Sequence, residues 1–226
     1  DVTFIIVPTP SGPDGTFSMR HVLRAAEKIG AALRRKQGWH LVVLSSTVMP
    51  GSTGGVLAPA LEASSCKKCG SDFGLCYNPE FIALGSVLHD MLNPDMILIG
   101  ESDQRSGELL ERFYGDVCES DPRIQRMNYV NAEMTKISVN TFVTTKISYA
   151  NMLAEVCETL PGADADVVTA ALGCDTRIGP KYLKGALGYG GPCFPRDNVA
   201  FSALAQANGV PALLAAPLAS RPERDR

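Results

Sequence analysis

The chain has 226 residues, 45% of them hydrophobic and 20% charged, with a formal net charge of −3. Those proportions belong to an ordinary globular chain, long enough for one large domain or two small ones. They leave no electrostatic case for a nucleic acid or an anionic membrane as partner, and no apolar run approaches the ~20 residues of a membrane span.

In chain order, residues 2–7 (Val-Thr-Phe-Ile-Ile-Val) are a near-continuous, β-branched apolar run. This is the pattern of a strand buried on both faces. Residues 8–15 (Pro-Thr-Pro-Ser-Gly-Pro-Asp-Gly) read as a loop. Ser18 is placed to cap a helix in which Val22, Leu23, Ala26, Ile29, Ala32 and Leu33 recur at helical spacing to about Arg35. Leu41 to Leu44 predict a strand, and Ser45 to Thr53 a loop entering a helix that runs through Leu61. Strands are predicted again at 73–77 and 96–99, then a helix from Gln104 to about Tyr114. Alternating strands and helices with buried strands imply an α/β fold with a parallel sheet. No Gly-x-Gly-x-x-Gly follows any of these strands, so the pattern fits the second half of a Rossmann-like domain.

The pattern changes after Tyr129. Asn131 can cap a helix from Ala132 to about Leu160 that is free of Gly and Pro, with shorter helices expected at 165–172, 198–208 and from Pro211. The expected organisation is therefore a partial dinucleotide-binding domain over 1–129 and an all-α domain with a long central helix over 130–226. The opening residues lack the layout of a signal peptide. Seven cysteines form no regular framework, which fits reduced thiols in a cytoplasmic protein. The chain opens directly in a strand without Met and closes on Arg221-Pro222-Glu223-Arg224-Asp225-Arg226. It therefore reads as a fragment with a solvated tail.

Cys66-Lys67-Lys68-Cys69 and Cys76 offer three thiols without a neighbouring histidine. That is an incomplete tetrahedral set, and no metal is expected. The chemistry concentrates at residues 188–197, Gly-Tyr-Gly-Gly-Pro-Cys-Phe-Pro-Arg-Asp. Glycines let backbone N–H groups approach a ligand, and a helix N-terminus stabilises both a thiolate and a developing oxyanion. Cys193 is accordingly the candidate nucleophile, with Arg196 and Asp197 supplying charge beside it. Asp197 can take a proton or orient water. Lys136 and Asn140, at i and i+4, share one face of the long helix, where a cation and an amide can together hold an oxyanion. Glu80 and Thr47 each follow a strand, where α/β active sites gather.

The 188–197 segment resembles the cysteine motif of the UDP-glucose/GDP-mannose dehydrogenase family, with Pro192 and Arg196 in place of the usual small residue and lysine. The resemblance extends to Ser46-Thr47-Val48-Met49-Pro50-Gly51-Ser52-Thr53, Asn78-Pro79-Glu80-Phe81, Glu133-Met134-Thr135-Lys136 with Asn140, and Asp175-Thr176-Arg177-Ile178-Gly179. Phe194, after the cysteine, is more similar to the UDP-glucose branch than to the mannose branches. What the resemblance implies is oxidation of a nucleotide sugar, UDP-glucose to UDP-glucuronate, consuming two NAD⁺ through a thiohemiacetal and a thioester on Cys193. It implies catalytic roles for Cys193, Lys136, Asn140, Asp197, Glu80 and Thr47. Substrate contacts fall to Glu80, Phe81, Ile82, Ala83, Leu84, Lys136, Asn140, Arg177, Tyr182, Leu183 and Gly190. NAD contacts fall to Thr9, Ser11, Thr47 and Arg196. It also implies a homodimer built on the central helices. Leu84 stands where the family often has a second glutamate. In the absence of the glycine-rich turn, these 226 residues alone are expected to bind NAD⁺ weakly and to be inactive. The alternatives are another nucleotide-sugar dehydrogenase such as a GDP-mannose enzyme, a two-electron β-hydroxyacid dehydrogenase, which needs no Cys193, and a non-catalytic dimerisation module.

Overall fold

The structure, a computed structural model, describes residues 1–81, 85–186 and 188–211. They fall into two compact units, Asp1–Gly12 with Phe17–Lys136, and Pro13–Thr16 with the described part of Ile137–Arg226.

The first unit is built on a five-stranded sheet in the order β1-β2-β3-β4-β5. Its strands are β1 Val2–Ile5, β2 Leu41–Leu44, β3 Gly74–Tyr77, β4 Met96–Glu101 and β5 Arg123–Met127. β1/β2, β2/β3 and β4/β5 pair in parallel, whereas β3 and β4 are antiparallel. The all-parallel expectation is thus corrected at one ladder. Among the described residues, the connection from Tyr77 to Met96 carries the short helix α3 Val87–Leu92, and the chain returns alongside β3. β2 and β3 are buried along their whole length, as their apolar sequences require. β1, expected to be covered on both faces, is half-buried at Val2, Thr3 and Phe4, because it pairs only with β2 among the described residues. β5 is an addition to the expected strands. Its sequence, Arg-Ile-Gln-Arg-Met, is that of an edge strand, and Arg126 is held by Glu101 at 2.8 Å and Glu111 at 3.0 Å.

Helix α1, Arg20–Arg35, buries Val22, Ala26, Gly30 and Leu33 as one stripe. A Cβ on Gly30 would lie 1.9 Å from Ser64 Oγ, so close packing against α2, Ala58–Ser65, requires glycine there. Ser18, the expected cap, instead sits two residues before the helix, its Oγ accepting the Arg20 N–H at 3.4 Å. Between β2 and α2 the chain makes a π-helical turn, Thr53–Leu57. Helix α4, Gln104–Val117, is capped by Asp103, which accepts the Ser106 N–H.

The long helix α5, Tyr129–Thr159, gives its first residues to the first unit and the remainder to the second. Its cap is Asn128, whose Oδ1 accepts the Asn131 N–H at 2.9 Å, rather than Asn131 itself. The other described helices of the second unit are α6, Ala165–Gly173, capped by Asp164, and α7, Phe194–Ala207. α7 starts four residues before the expected Asn198, because Pro195 is well suited to a first turn. The helix expected from Pro211 lies outside the described residues.

Candidate active site

In the second unit, Cys193 occupies the N-cap position of α7 and is exposed. One turn on, the Asp197 N–H donates to the Cys193 carbonyl at 2.9 Å. Asp197 is only 1% exposed. A carboxylate so buried needs strong partners, and it has them. Asn140 Nδ2 donates to Oδ2 at 2.6 Å, and Arg196 Nε donates to Oδ1 at 3.3 Å. The arrangement places a thiol, a carboxylate and an amide around the first turn of one helix, where N–H groups also point outward.

The remaining candidates of this unit are less converged. Arg177 is exposed and folds back on Asp175 with Nη2 at 2.5 Å from Oδ2. Burial of Leu183 at 4% exposure puts its side chain in the core, so any ligand contact there falls to its backbone. Tyr182 is half-exposed and adopts φ of 65°, a left-handed conformation unusual for a bulky residue. Gly190 is exposed.

In the first unit, the Thr9 hydroxyl donates to the Thr47 carbonyl at 2.6 Å. This ties together the loops that leave the adjacent parallel strands β1 and β2. Ser11 is exposed and forms an isolated bridge with Phe17. The loop after β3 is pinned at two points. Asn78 donates to the Leu98 carbonyl at 2.9 Å and accepts the Tyr114 hydroxyl. Burial and then the charge of Glu80 push the Tyr114 phenol up to about 12. Lys136 Nζ donates to the Glu80 carbonyl at 2.5 Å and lies 4.6 Å from the centre of the Phe81 ring. The lysine therefore meets the main chain of the 78–81 segment, while the Glu80 side chain is half-buried. Ile82, Ala83 and Leu84 lie outside the described residues. Lys136 and Asn140 remain i and i+4 on a continuous helix and so share one face.

Sequence reasoning misses Glu133. Its carboxylate is fully buried and accepts the Gly51 N–H at 2.6 Å and the Thr53 N–H at 2.7 Å. Gly51 has φ of 92°, which only glycine adopts without strain. The clue in the sequence is an acid three residues before Lys136, one turn away on the same helix. Burial raises the Glu133 carboxyl above its ordinary value, against the pull of the donors from Thr53 and Gly51. A raised carboxyl costs nothing while it is protonated in both folded and unfolded states. Its contribution to stability is full below about pH 4.5 and is lost as pH rises through the folded value. The stability difference between the parent and Glu133→Gln, measured by urea unfolding, is therefore expected to shrink with rising pH over that window and then level off. A difference that grows with pH would mean the two N–H donors outweigh burial.

Among the described residues, no group of three or more His, Cys, Asp or Glu side chains is arranged to hold a metal ion. Cys66 is exposed and Cys76 is buried within β3. No described helix is long and apolar enough to cross a membrane.

Comparison with known proteins gives a consistent answer. Residues 1–118 match the UDP-glucose/GDP-mannose dehydrogenase family, NAD binding domain, and residues 130–220 match the central domain of the same family. The chain is 39% identical over 219 residues to the UDP-glucose 6-dehydrogenase AglM of Haloferax volcanii, covering 96% of this chain and 51% of that protein. It is 35% identical over 211 residues to the UDP-glucose 6-dehydrogenase TuaD of Bacillus subtilis, covering 93% and 44%. Among solved structures, a UDP-glucose dehydrogenase from Pyrobaculum islandicum superposes with a TM-score of 0.87 at 39% identity, covering 96% of this chain and 49% of that one. A GDP-mannose dehydrogenase from Pseudomonas aeruginosa gives 0.72 at 33%, covering 96% and 50%. The chain spans about half the length of the curated relatives it matches. On the matched domains and the motifs at Thr47, Glu80, Lys136, Asn140 and Cys193, it belongs to the UDP-glucose/GDP-mannose dehydrogenase family.

Proposed function

We propose that this chain carries the catalytic core of a cytoplasmic, NAD-dependent UDP-glucose 6-dehydrogenase, converting UDP-glucose to UDP-glucuronate. The observation that carries the reading is the exposed Cys193 thiol at the N-terminus of α7, one turn from a buried Asp197 bonded to Asn140. A thiol so placed suits covalent capture of an aldehyde, and the relatives named above supply the sugar.

Bound NAD⁺ supplies the hydride acceptor. The residues present fit contacts on its nicotinamide side. Thr9 and Thr47 are joined at the C-terminal ends of β1 and β2, where open α/β sheets hold their ligands. Ser11 is exposed on the same segment as Thr9, and Arg196 would add a cation.

The C6 alcohol loses a proton and a hydride to give the aldehyde. Cys193 sulfur adds to the carbonyl carbon, and the resulting thiohemiacetal loses a second hydride and a proton to become a thioester. Water attacks, the C–S bond breaks, and the acid leaves with the thiol restored. Lys136 and Asn140 stabilise the oxyanion through N–H donors. Asp197 and Glu80 hold or move protons of the alcohol and the water, and Thr47 helps place that water. Phe81 to Leu84, Arg177, Tyr182, Leu183 and Gly190 bind the nucleotide sugar.

A homodimer through the central helices belongs to the same reading. Phe142, Tyr149 and Val156 repeat every seven residues along α5, and all are substantially exposed, as is Met152 between them. Given UDP-glucose and NAD⁺, the complete gene product is expected to form two NADH per UDP-glucuronate and to sediment as a dimer. One NADH per substrate would remove the four-electron reading, and a monomer would remove the dimer.

A further inference from the structure

Asn198 follows Asp197 on α7 and is wholly buried. An interior amide is costly unless both of its ends are paired. Its Oδ1 lies 3.2 Å from the Thr144 hydroxyl, whose single proton is shared with the Thr141 carbonyl at 2.8 Å, and its Nδ2 donates to the Tyr189 hydroxyl at 3.1 Å. Thr144 is one turn beyond Asn140 on α5 and is also fully buried. Asp197 and Asn198 therefore dock in register on Asn140 and Thr144, two side chains of one helix face.

Tyr189 belongs to the loop that delivers Cys193. That loop is rich in glycine, and Gly188 and Gly191 adopt φ of 109° and 79°. Glycines carry a large conformational entropy, and Gly190, Gly191, Pro192 and Cys193 are all exposed. The half-buried Tyr189 ring meets Phe194 edge-on with centroids 6.3 Å apart. Burial, opposed by the Asn198 bond, raises the phenol and keeps the hydroxyl neutral.

We propose that Thr144, Asn198 and Tyr189 are positioning residues, a hydrogen-bonded clamp from α5 through α7 that fixes the glycine loop and so sets the Cys193 thiol relative to Asp197 and Asn140. The clamp acts on the covalent step and rests on the reading of Cys193 as nucleophile. A purely packing role for Tyr189 would be met by phenylalanine, which keeps the ring against Phe194. The clamp needs the hydroxyl.

The test is Tyr189→Phe in the complete gene product. The expected result is a fall in kcat of about tenfold, as small misplacements of a nucleophile produce, with KM within about twofold. The melting temperature should fall modestly, because Asn198 Nδ2 loses its acceptor, and amide exchange should be faster at 188–191 and 193 but not in the interior of α7. Asn198→Ala should give a similar loss of kcat, and the double variant should be no worse than the poorer single, the mark of coupled residues. Parent kcat together with parent exchange rates in Tyr189→Phe would overturn the clamp, even if Asn198→Ala fails to fold. Acid formation by Cys193→Ala would instead sink the nucleophile reading and leave the exchange rates to decide whether the loop is clamped.

Discussion

Replacing Cys193 by alanine in the complete gene product is expected to abolish formation of UDP-glucuronate. Without the thiol there is no thiohemiacetal, so the second hydride has no tetrahedral carbon on the protein from which to leave. The first oxidation requires no sulfur and can still occur. NADH should therefore not exceed one equivalent per sugar, and no acid should accumulate. The substitution is structurally mild, because Cys193 is exposed and makes no side-chain capping bond to α7. An unchanged melting curve beside the lost product would place the effect in chemistry rather than folding. Acid appearing at the parental rate would show that a hydrated aldehyde is oxidised directly and that the cysteine has no covalent role.

Lys136→Ala carries the next largest effect. Removing one preorganised donor to a developing oxyanion costs about 10²–10³ in kcat. A fall of at least that size is expected, with a smaller change in KM. Among the described residues, the ammonium meets the Glu80 carbonyl and the face of Phe81. Truncation also releases the 80–81 main chain, and Lys136→Met, which keeps the apolar stem but loses both ammonium contacts, separates packing of the stem from the work of the ammonium. Recovery of activity in Lys136→Met would assign the effect to packing of the side-chain stem. A kcat for Lys136→Ala within a few-fold of the parent would remove the lysine from the mechanism.

The legibility of fold and site in the sequence depends on which signals are local. β2 and β3 are plain, because strands buried on both faces read as continuous apolar runs. β5 is invisible, since half of an edge strand faces water and its arginines imitate a loop. The reversal between β3 and β4 is invisible for another reason: apolar runs carry no direction. The sequence places α7 late because Phe194 and Pro195 read as loop, although proline belongs in a first helical turn. At the candidate site, residue type and spacing single out Cys193, Lys136, Asn140 and Asp197 as candidates. The Asn140–Asp197 bond joins residues far apart in the chain, and nothing local foretells it. The same holds for Glu133 and for Asn198, whose partners come from other segments.

The π-helical turn Thr53–Leu57 amounts to a single inserted residue, since such a turn is an α-helix with one position too many. Gly54 and Gly55 fall inside it, and each sacrifices about 1 kcal/mol of helix propensity relative to alanine. Deleting either would give a smoother, intrinsically better helix. It would also rotate the residues before the turn by about 100° relative to α2 and draw them in by about 1.5 Å. Leu57 and Leu61 are fully buried and cannot follow that rotation. The amides of Gly51 and Thr53 would then no longer both reach the Glu133 carboxylate. A gap of one residue here is thus a change of register for the whole Thr47–Thr53 segment, and length, more than identity, is what selection must guard at Gly55, whose absent Cβ would touch nothing within 4 Å.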